Sequence, residues 1–224
     1  MARLARVVVP GYPHHVIQRG NRRQPTFFCD GDYEIYLDLM AQWCGAWDVE
    51  VWAYCLMPNH VHLIVVPESE EGLCRAIGEA HRRYTRHVNF REGWRGHLWQ
   101  GRFASFVMEE VYLRAAVRYV EMNPVRARLV REPGRYRWSS VKAHLTGQDD
   151  GLVKVKPLLE CYGDWRKVLG RAEGTDEALE ELRRHERTGR VLGSEGFVAK
   201  VARLVGREVR PGRPGRPRKR RTDS

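Results

Sequence analysis

Two imidazoles one residue apart open an apolar, β-branched run, His60-Val61-His62-Leu63-Ile64-Val65-Val66. Side chains of an extended strand alternate between its faces, so His60 and His62 point the same way and Val61 the other. Neutral imidazole suits a divalent cation, but two ligands rarely hold one, and a third must come from elsewhere in the chain. Tyr119 and Asn123 stand four apart in a segment of helical periodicity, which brings a phenol and an amide oxygen to one helix face. Together these residues have the makings of a site for cutting a phosphodiester. His60, His62 and the Asn123 carbonyl oxygen hold a divalent metal, phosphate oxygens fill its other positions, and Tyr119 is the nucleophile. A phenol with a pKa of about 10 is a poor nucleophile at neutral pH unless a metal or a cation favours its ionised form. Arg118 and Arg126 are near in sequence for that work. Each residue alone has a plainer reading, as a packed strand-end histidine or a core tyrosine, and only the combination carries the expectation.

The elements that must position these groups follow from periodicity. His14 to Arg19 reads as a first strand after the turn signals Gly11 and Pro13, and Gly20 to Pro25 as a polar loop. With Arg19, Asn21, Arg22 and Arg23, that loop offers phosphate or base contacts, or is simply a solvated turn. Asp30 caps a helix whose apolar stripe includes Tyr33, Tyr36, Met40 and Trp43. Val49 to Leu56 is a second strand, joined through Met57-Pro58-Asn59 to the histidine strand as a hairpin. Glu70 to Phe90 is an amphipathic helix with Leu73, Ile77, Tyr84 and Val88 inward and Arg75, Arg82, Arg83 and Arg86 outward. Arg102 to Met108 is a fourth strand, and Val111 to Asn123 a helix carried as far as Pro124. Strand, helix, hairpin, helix, strand is the order of an α+β, ferredoxin-like sandwich, with a central antiparallel sheet covered by helices on one face. A short helix follows near Val141 to Leu145, then a looser region to about Gly174. Helices at Thr175 to Arg187 and Ser194 to Val205 form a small C-terminal appendage.

Composition narrows the partners. The 224 residues carry 39 Lys+Arg against 28 Asp+Glu, a net charge of +11, so a polyanion comes first, and nucleic acid is the usual one. The segment from Arg207 to Ser224 holds +6 of that charge and no apolar run to bury, and is expected to be disordered. Its two consecutive Gly-Arg-Pro units, with Arg213 and Arg216, look like the core of a minor-groove AT-hook, or serve as a generic basic tail. Five scattered cysteines without a Cys-x-x-Cys pair argue for free thiols in a reducing compartment. No apolar run is long enough for a signal peptide or a membrane span, so a cytoplasmic protein without membrane contact is expected.

Four ordered blocks carry a family resemblance: Pro13-His14-His15-Val16-Ile17-Gln18-Arg19-Gly20-Asn21, Met57-Pro58-Asn59-His60-Val61-His62, Leu98-Trp99-Gln100-Gly101-Arg102-Phe103 and Arg118-Tyr119-Val120-Glu121-Met122-Asn123-Pro124-Val125-Arg126-Ala127. Over roughly residues 8 to 130 the chain resembles the REP-associated tyrosine transposases, within the single-tyrosine HUH (His-hydrophobic-His) nucleases. The resemblance implies a catalytic domain over 1–145, a helical extension over 146–206 and a basic tail over 207–224. It further implies an enzyme that nicks single-stranded DNA hairpins of repetitive palindromic elements with Mg²⁺ or Mn²⁺. The tyrosine forms a 5′-phosphotyrosine link and releases a 3′-hydroxyl, which can later rejoin strands. His60, His62 and Tyr119 match that pattern, and Asn123 stands where related insertion-sequence transposases carry Gln. The arginine loop matches the region that reads sequence beside the hairpin, with Arg102, Arg118 and Arg126 as further DNA contacts.

Other readings share parts of this evidence. A self-mobilising insertion-sequence transposase uses the same chemistry but lacks the long tail. A non-catalytic hairpin-binding protein would need no metal, and a hydrolase using water in place of Tyr119 would need a carboxylate base near the histidines. A monomer is favoured over a dimer.

Overall fold

The first strand forms where alternation begins, at β1 (His14–Arg19), and is followed by α1 (Asp30–Ala46), β2 (Val49–Met57), β3 (His60–Pro67), α2 (Gly72–Glu92) and β4 (Ala104–Val107). The computed structural model describes residues 5–170 and 175–210. The strands make one sheet in the order β2-β3-β1-β4, every neighbouring pair antiparallel. The arrangement is ferredoxin-like. Met57 pairs with His60 across the two-residue connection Pro58-Asn59, so β3 folds straight back on β2 and its other edge is left for β1.

Strand parity then divides the chain between two cores. Val61, Leu63 and Val65 of β3, with Val16 of β1, face α1 and α2, whose Tyr36, Met40, Leu73, Ile77 and Tyr84 are wholly buried. Ile64, Ala53, Cys55 and Phe106 face the opposite way and are equally buried. The sheet is therefore covered on both faces, where the sequence led us to expect helices on one. The reason lies in β3, which is apolar at both parities beyond His62, so either face left bare would expose aliphatic surface to water. The second cover is built from α3 (Glu110–Glu121), α4 (Asn123–Arg126), α5 (Val141–Thr146), α6 (Lys156–Tyr162), α7 (Trp165–Gly170) and α8 (Thr175–Thr188). Val117, Val120, Val141, Leu158, Val168 and Leu182 form its apolar interior.

Three local departures bear on function. The helix expected to run through Asn123 stops at Glu121, and Met122 (φ −84°, ψ 0°) separates it from α4. Pro124 lacks an N–H to continue the ladder, so the backbone turns there, and Tyr119 and Asn123 lie on successive helices instead of one continuous face. β4 starts at Ala104, leaving Arg102 and Phe103 in the preceding loop. The expected loose region contains α6 and α7, each too short to display a period and separated by Gly163, whose φ is +65°. The last helix, α9 (Glu195–Leu204), is capped by the Ser194 side chain, which accepts from the Phe197 N–H, and it packs on Val7 and Val9. Among the described residues no helix is long and apolar enough to cross a membrane.

Candidate active site

Strand pairing determines what shares the face of His60 and His62. In the β1–β3 register Arg19 lies opposite His60, Ile17 opposite His62 and His15 opposite Ile64. Paired residues point to the same side of a sheet, so His15 joins the two expected histidines on the surface beneath α3. Its Nε2 meets His62 Nδ1 at 3.0 Å, one ring donating and the other accepting. The His60 and His62 rings stand edge to face at 5.0 Å between centroids. His60 Nδ1 is 2.6 Å from Asn59 Oδ1, an oxygen that only accepts. That contact puts the His60 proton on Nδ1 and leaves Nε2 as the nitrogen with a free lone pair. Asn59 also donates from Nδ2 to the Arg23 carbonyl at 3.0 Å, which ties the arginine loop to the start of β3.

Burial keeps these imidazoles neutral. It lowers His15 to about 3, with Arg126 adding to the effect. His60 is lowered to about 3 by burial and then by Arg19. His62, 2% exposed, is pushed well below the ordinary histidine value by burial and by its histidine and arginine neighbours. An unprotonated ring is what a metal needs.

Tyr119 hangs from α3 onto this cluster. Its ring lies edge-on to His62 at 5.7 Å and to His15 at 6.1 Å, and only 8% of the residue is exposed. The Arg126 guanidinium stands over the same ring, 4.0 Å from its centroid, and donates to the Tyr119 carbonyl at 2.7 Å. Burial raises the phenol's pKa, the Glu186 carboxylate raises it further, and Arg126 opposes both. The phenol is thus held as a neutral O–H in this structure.

Two participants were not among the expected site residues. His15 was legible only as part of a block, because strand parity says which way a side chain faces but not which strand lies next door. Glu186 comes from α8, with Oε1 3.8 Å from His62 Nδ1 and 4.0 Å from His15 Nδ1. No local signal marks it, since α8 reads as an ordinary charged helix. His15 Nδ1 and Glu186 Oε1 are both buried, and among the described residues neither has a hydrogen-bond partner. That carboxylate oxygen and the neighbouring imidazole nitrogens form a donor set that fits a divalent cation; His15, His62 and Glu186 each present a ligand atom within 4.8 Å of the others.

The other expected residues are placed as follows. Asn123 is buried at the start of α4, and among the described residues no hydrogen bond involves its side chain. Arg19, Asn21, Arg22 and Arg23 lie at the end of the sheet where β3 begins. The loop is pinned there by the Gly20 N–H to the Asn59 carbonyl at 2.8 Å and the Asn21 N–H to the Leu98 carbonyl at 2.7 Å. Arg102 is outside the cluster, on a cleft lined also by Arg6, Gln18, His81 and Trp99. Arg118 is not brought to it either, because its Nε donates to the Leu169 carbonyl of α7 at 3.2 Å. Arg213 and Arg216, with their Gly-Arg-Pro units, lie outside the described residues.

The architecture is that of an α+β protein whose antiparallel sheet offers a histidine cluster to a helix-borne tyrosine. A family model described as "Transposase IS200 like" matches residues 8–123, just over half of the chain, and the chain belongs to that family. Its fold is similar to that of a REP-associated tyrosine transposase solved bound to a REP hairpin. The match covers 69% of this chain and 93% of that one, with a TM-score of 0.57 and 19% identity. A candidate transposase from Deinococcus radiodurans R1 overlaps more loosely, over 57% of this chain and 92% of its own, with a TM-score of 0.37 and 18% identity. No curated protein matches the sequence.

Proposed function

We propose that this transposase-family chain is a metal-dependent endonuclease and strand transferase for single-stranded DNA. Its substrates are hairpin-forming repetitive palindromic elements, and it works through a covalent 5′-phosphotyrosine intermediate. The observation that carries the reading is Tyr119, whose ring packs against His15 and His62 and under Arg126. A tyrosine with a purely structural role has no need of a cation at its ring and two unprotonated imidazoles at its edge. The hairpin part of the proposal is supported by the shared fold with a protein solved on a REP hairpin.

His60 and His62 would hold the divalent metal, Mg²⁺ or Mn²⁺, with Asn123 offering its amide oxygen. When bound, the metal supplies Lewis-acid polarisation of the scissile phosphate. Tyr119 Oη then forms a bond to phosphorus as the bond from phosphorus to the 3′ oxygen breaks. The phenol gives up one proton and the departing 3′-hydroxyl gains one. One phosphate ester replaces another, which makes the step close to isoenergetic and lets the 3′-hydroxyl reverse it to join strands. Arg126 lowers the energy of negative charge as it develops on the Tyr119 oxygen. Asn59 fixes the tautomer of His60 and, through Arg23, couples the arginine loop to it. Arg19, Asn21, Arg22 and Arg23 would lead the strand to the site. Arg102 would take flanking phosphates, and Arg213 and Arg216 of the tail would add affinity that salt screens.

The test uses end-labelled single-stranded hairpin with full-length protein, with and without Mn²⁺. An adduct that survives denaturation, depends on metal and carries DNA through a 5′-phosphate is the expected result. Binding without cleavage under any metal would instead make the chain a hairpin-binding protein, and cleavage without an adduct would make water the nucleophile.

A further inference from the structure

α8 is a charged helix that turns one carboxylate inward. Glu177 and Glu180 are exposed, and Glu181 is engaged with Arg184 and His185 on its own helix. Glu186 instead points between α3 and the sheet, where its side chain is 19% exposed and its Oε1 atom is buried with no hydrogen-bond partner among the described residues. The helix is held there by Leu182, wholly buried, and by the His185 Nδ1 contact with the Arg190 carbonyl at 2.9 Å. The Glu186 carboxylate lies near the Tyr119 hydroxyl and the guanidinium groups of Arg19, Arg126 and Arg183, while its Oε1 faces the two imidazoles at 3.8 and 4.0 Å.

We infer that Glu186 is a metal ligand, adding its carboxylate to the divalent cation that His60 and His62 would hold, with His15 also within reach of it. The inference rests on the proposed reading only in taking this pocket to be the metal pocket. Bonds of about 2.0–2.2 Å put two ligands of one ion at most about 4.4 Å apart. Glu186 Oε1 lies 3.8 Å from His62 Nδ1 and 4.0 Å from His15 Nδ1, both within that reach. Binding would exchange the contact between the His15 and His62 rings for metal bonds and would give His15 Nδ1 and Glu186 Oε1 a partner. The carboxylate also bears on metal choice. Imidazoles alone suit zinc and copper, whereas an added anionic oxygen suits Mn²⁺ and Mg²⁺ and offsets part of the ionic charge. On this account α8 contributes directly to the centre instead of merely covering it.

The experiment titrates Mn²⁺ into full-length protein without DNA, read by calorimetry and by loss of the free-ion EPR signal. Wild type is expected to bind one Mn²⁺ per chain. Glu186→Gln keeps shape and removes charge, and should weaken that binding tenfold or more with an unchanged metal-free melting temperature. Glu186→Asp, which restores the charge on a shorter arm, should recover part of the loss. If Glu186→Gln binds as wild type does while His62→Ala does not bind, Glu186 is not a ligand and the histidine metal site stands. If wild type binds no Mn²⁺, the metal reading fails and Glu186 falls with it. A loss in Glu186→Gln that Glu186→Asp does not relieve at all also counts against ligation.

Discussion

Tyr119→Phe removes one oxygen and keeps the ring's contacts with His15, His62 and the Arg126 guanidinium. Adduct formation on the hairpin should therefore disappear, while hairpin affinity stays within about twofold and stability within about 1 kcal/mol of wild type. Tyr84→Phe is the informative control. The Tyr84 hydroxyl is buried and donates to the Thr26 carbonyl at 2.6 Å, on the face of the sheet away from the histidines. Its loss should cost about 1–2 kcal/mol in urea denaturation yet leave adduct yield intact. Persistence of the adduct in Tyr119→Phe would move the nucleophile to another residue.

Among the elements, α3 is the one whose position matters most, and one buried carboxylate anchors its end. Glu121, wholly buried, accepts from Ser140 Oγ at 2.6 Å and from His144 Nδ1 at 2.7 Å through one oxygen. Its other oxygen accepts from Trp165 Nε1 at 2.7 Å. These bonds join α3 to α5 and α7 just beyond the Tyr119 turn. Glu121→Ala would leave those donors buried without an acceptor, at a cost of about 3–5 kcal/mol. The measurement is the urea midpoint, and a loss below about 1 kcal/mol would mean that water replaces the carboxylate. The arginine loop is the opposite case, an element under local strain. Arg22 and Arg23 have φ of 54° and 62°, a left-handed backbone that residues with a Cβ rarely adopt.

At the scale of the whole molecule, the buried histidines make stability depend on pH. His81 is lowered to about 3, by burial and then by Arg6, and it contacts the Tyr36 hydroxyl at 2.8 Å. His14 is lowered to about 4 by burial, with its Tyr12 backbone contact opposing. Their folded values lie below the unfolded one of about 6.5, so between those limits the unfolded chain binds more protons. Stability is full above pH 6.5 and falls as the pH drops towards the folded values. Between pH 7 and 5 each such histidine should remove on the order of 2 kcal/mol. His81→Asn should flatten the profile, and a wild-type urea midpoint unchanged between pH 7 and 5 would contradict the burial argument. The net charge of +11 acts at the same scale, favouring approach of a polyanion without selecting one.

Local periodicity was enough to determine the ferredoxin-like order of elements, the inward faces of α1 and α2 and the common direction of His60 and His62. Those features depend on residues a few positions apart, and alternation and helical spacing record them directly. Periodicity overran at Asn123, because a proline effect on the backbone outweighed an apolar pattern that continued past it. It missed α6 and α7, which are too short for a period to develop. Only the tertiary structure decided that β1 lies beside β3, and so that His15 meets His62. It alone showed that the sheet's second face is covered and that the cover brings Glu186 to the histidines. A strand's sequence states which way its side chains point, whereas the neighbour it pairs with and the helix that lies across it are set by packing between segments far apart in the chain.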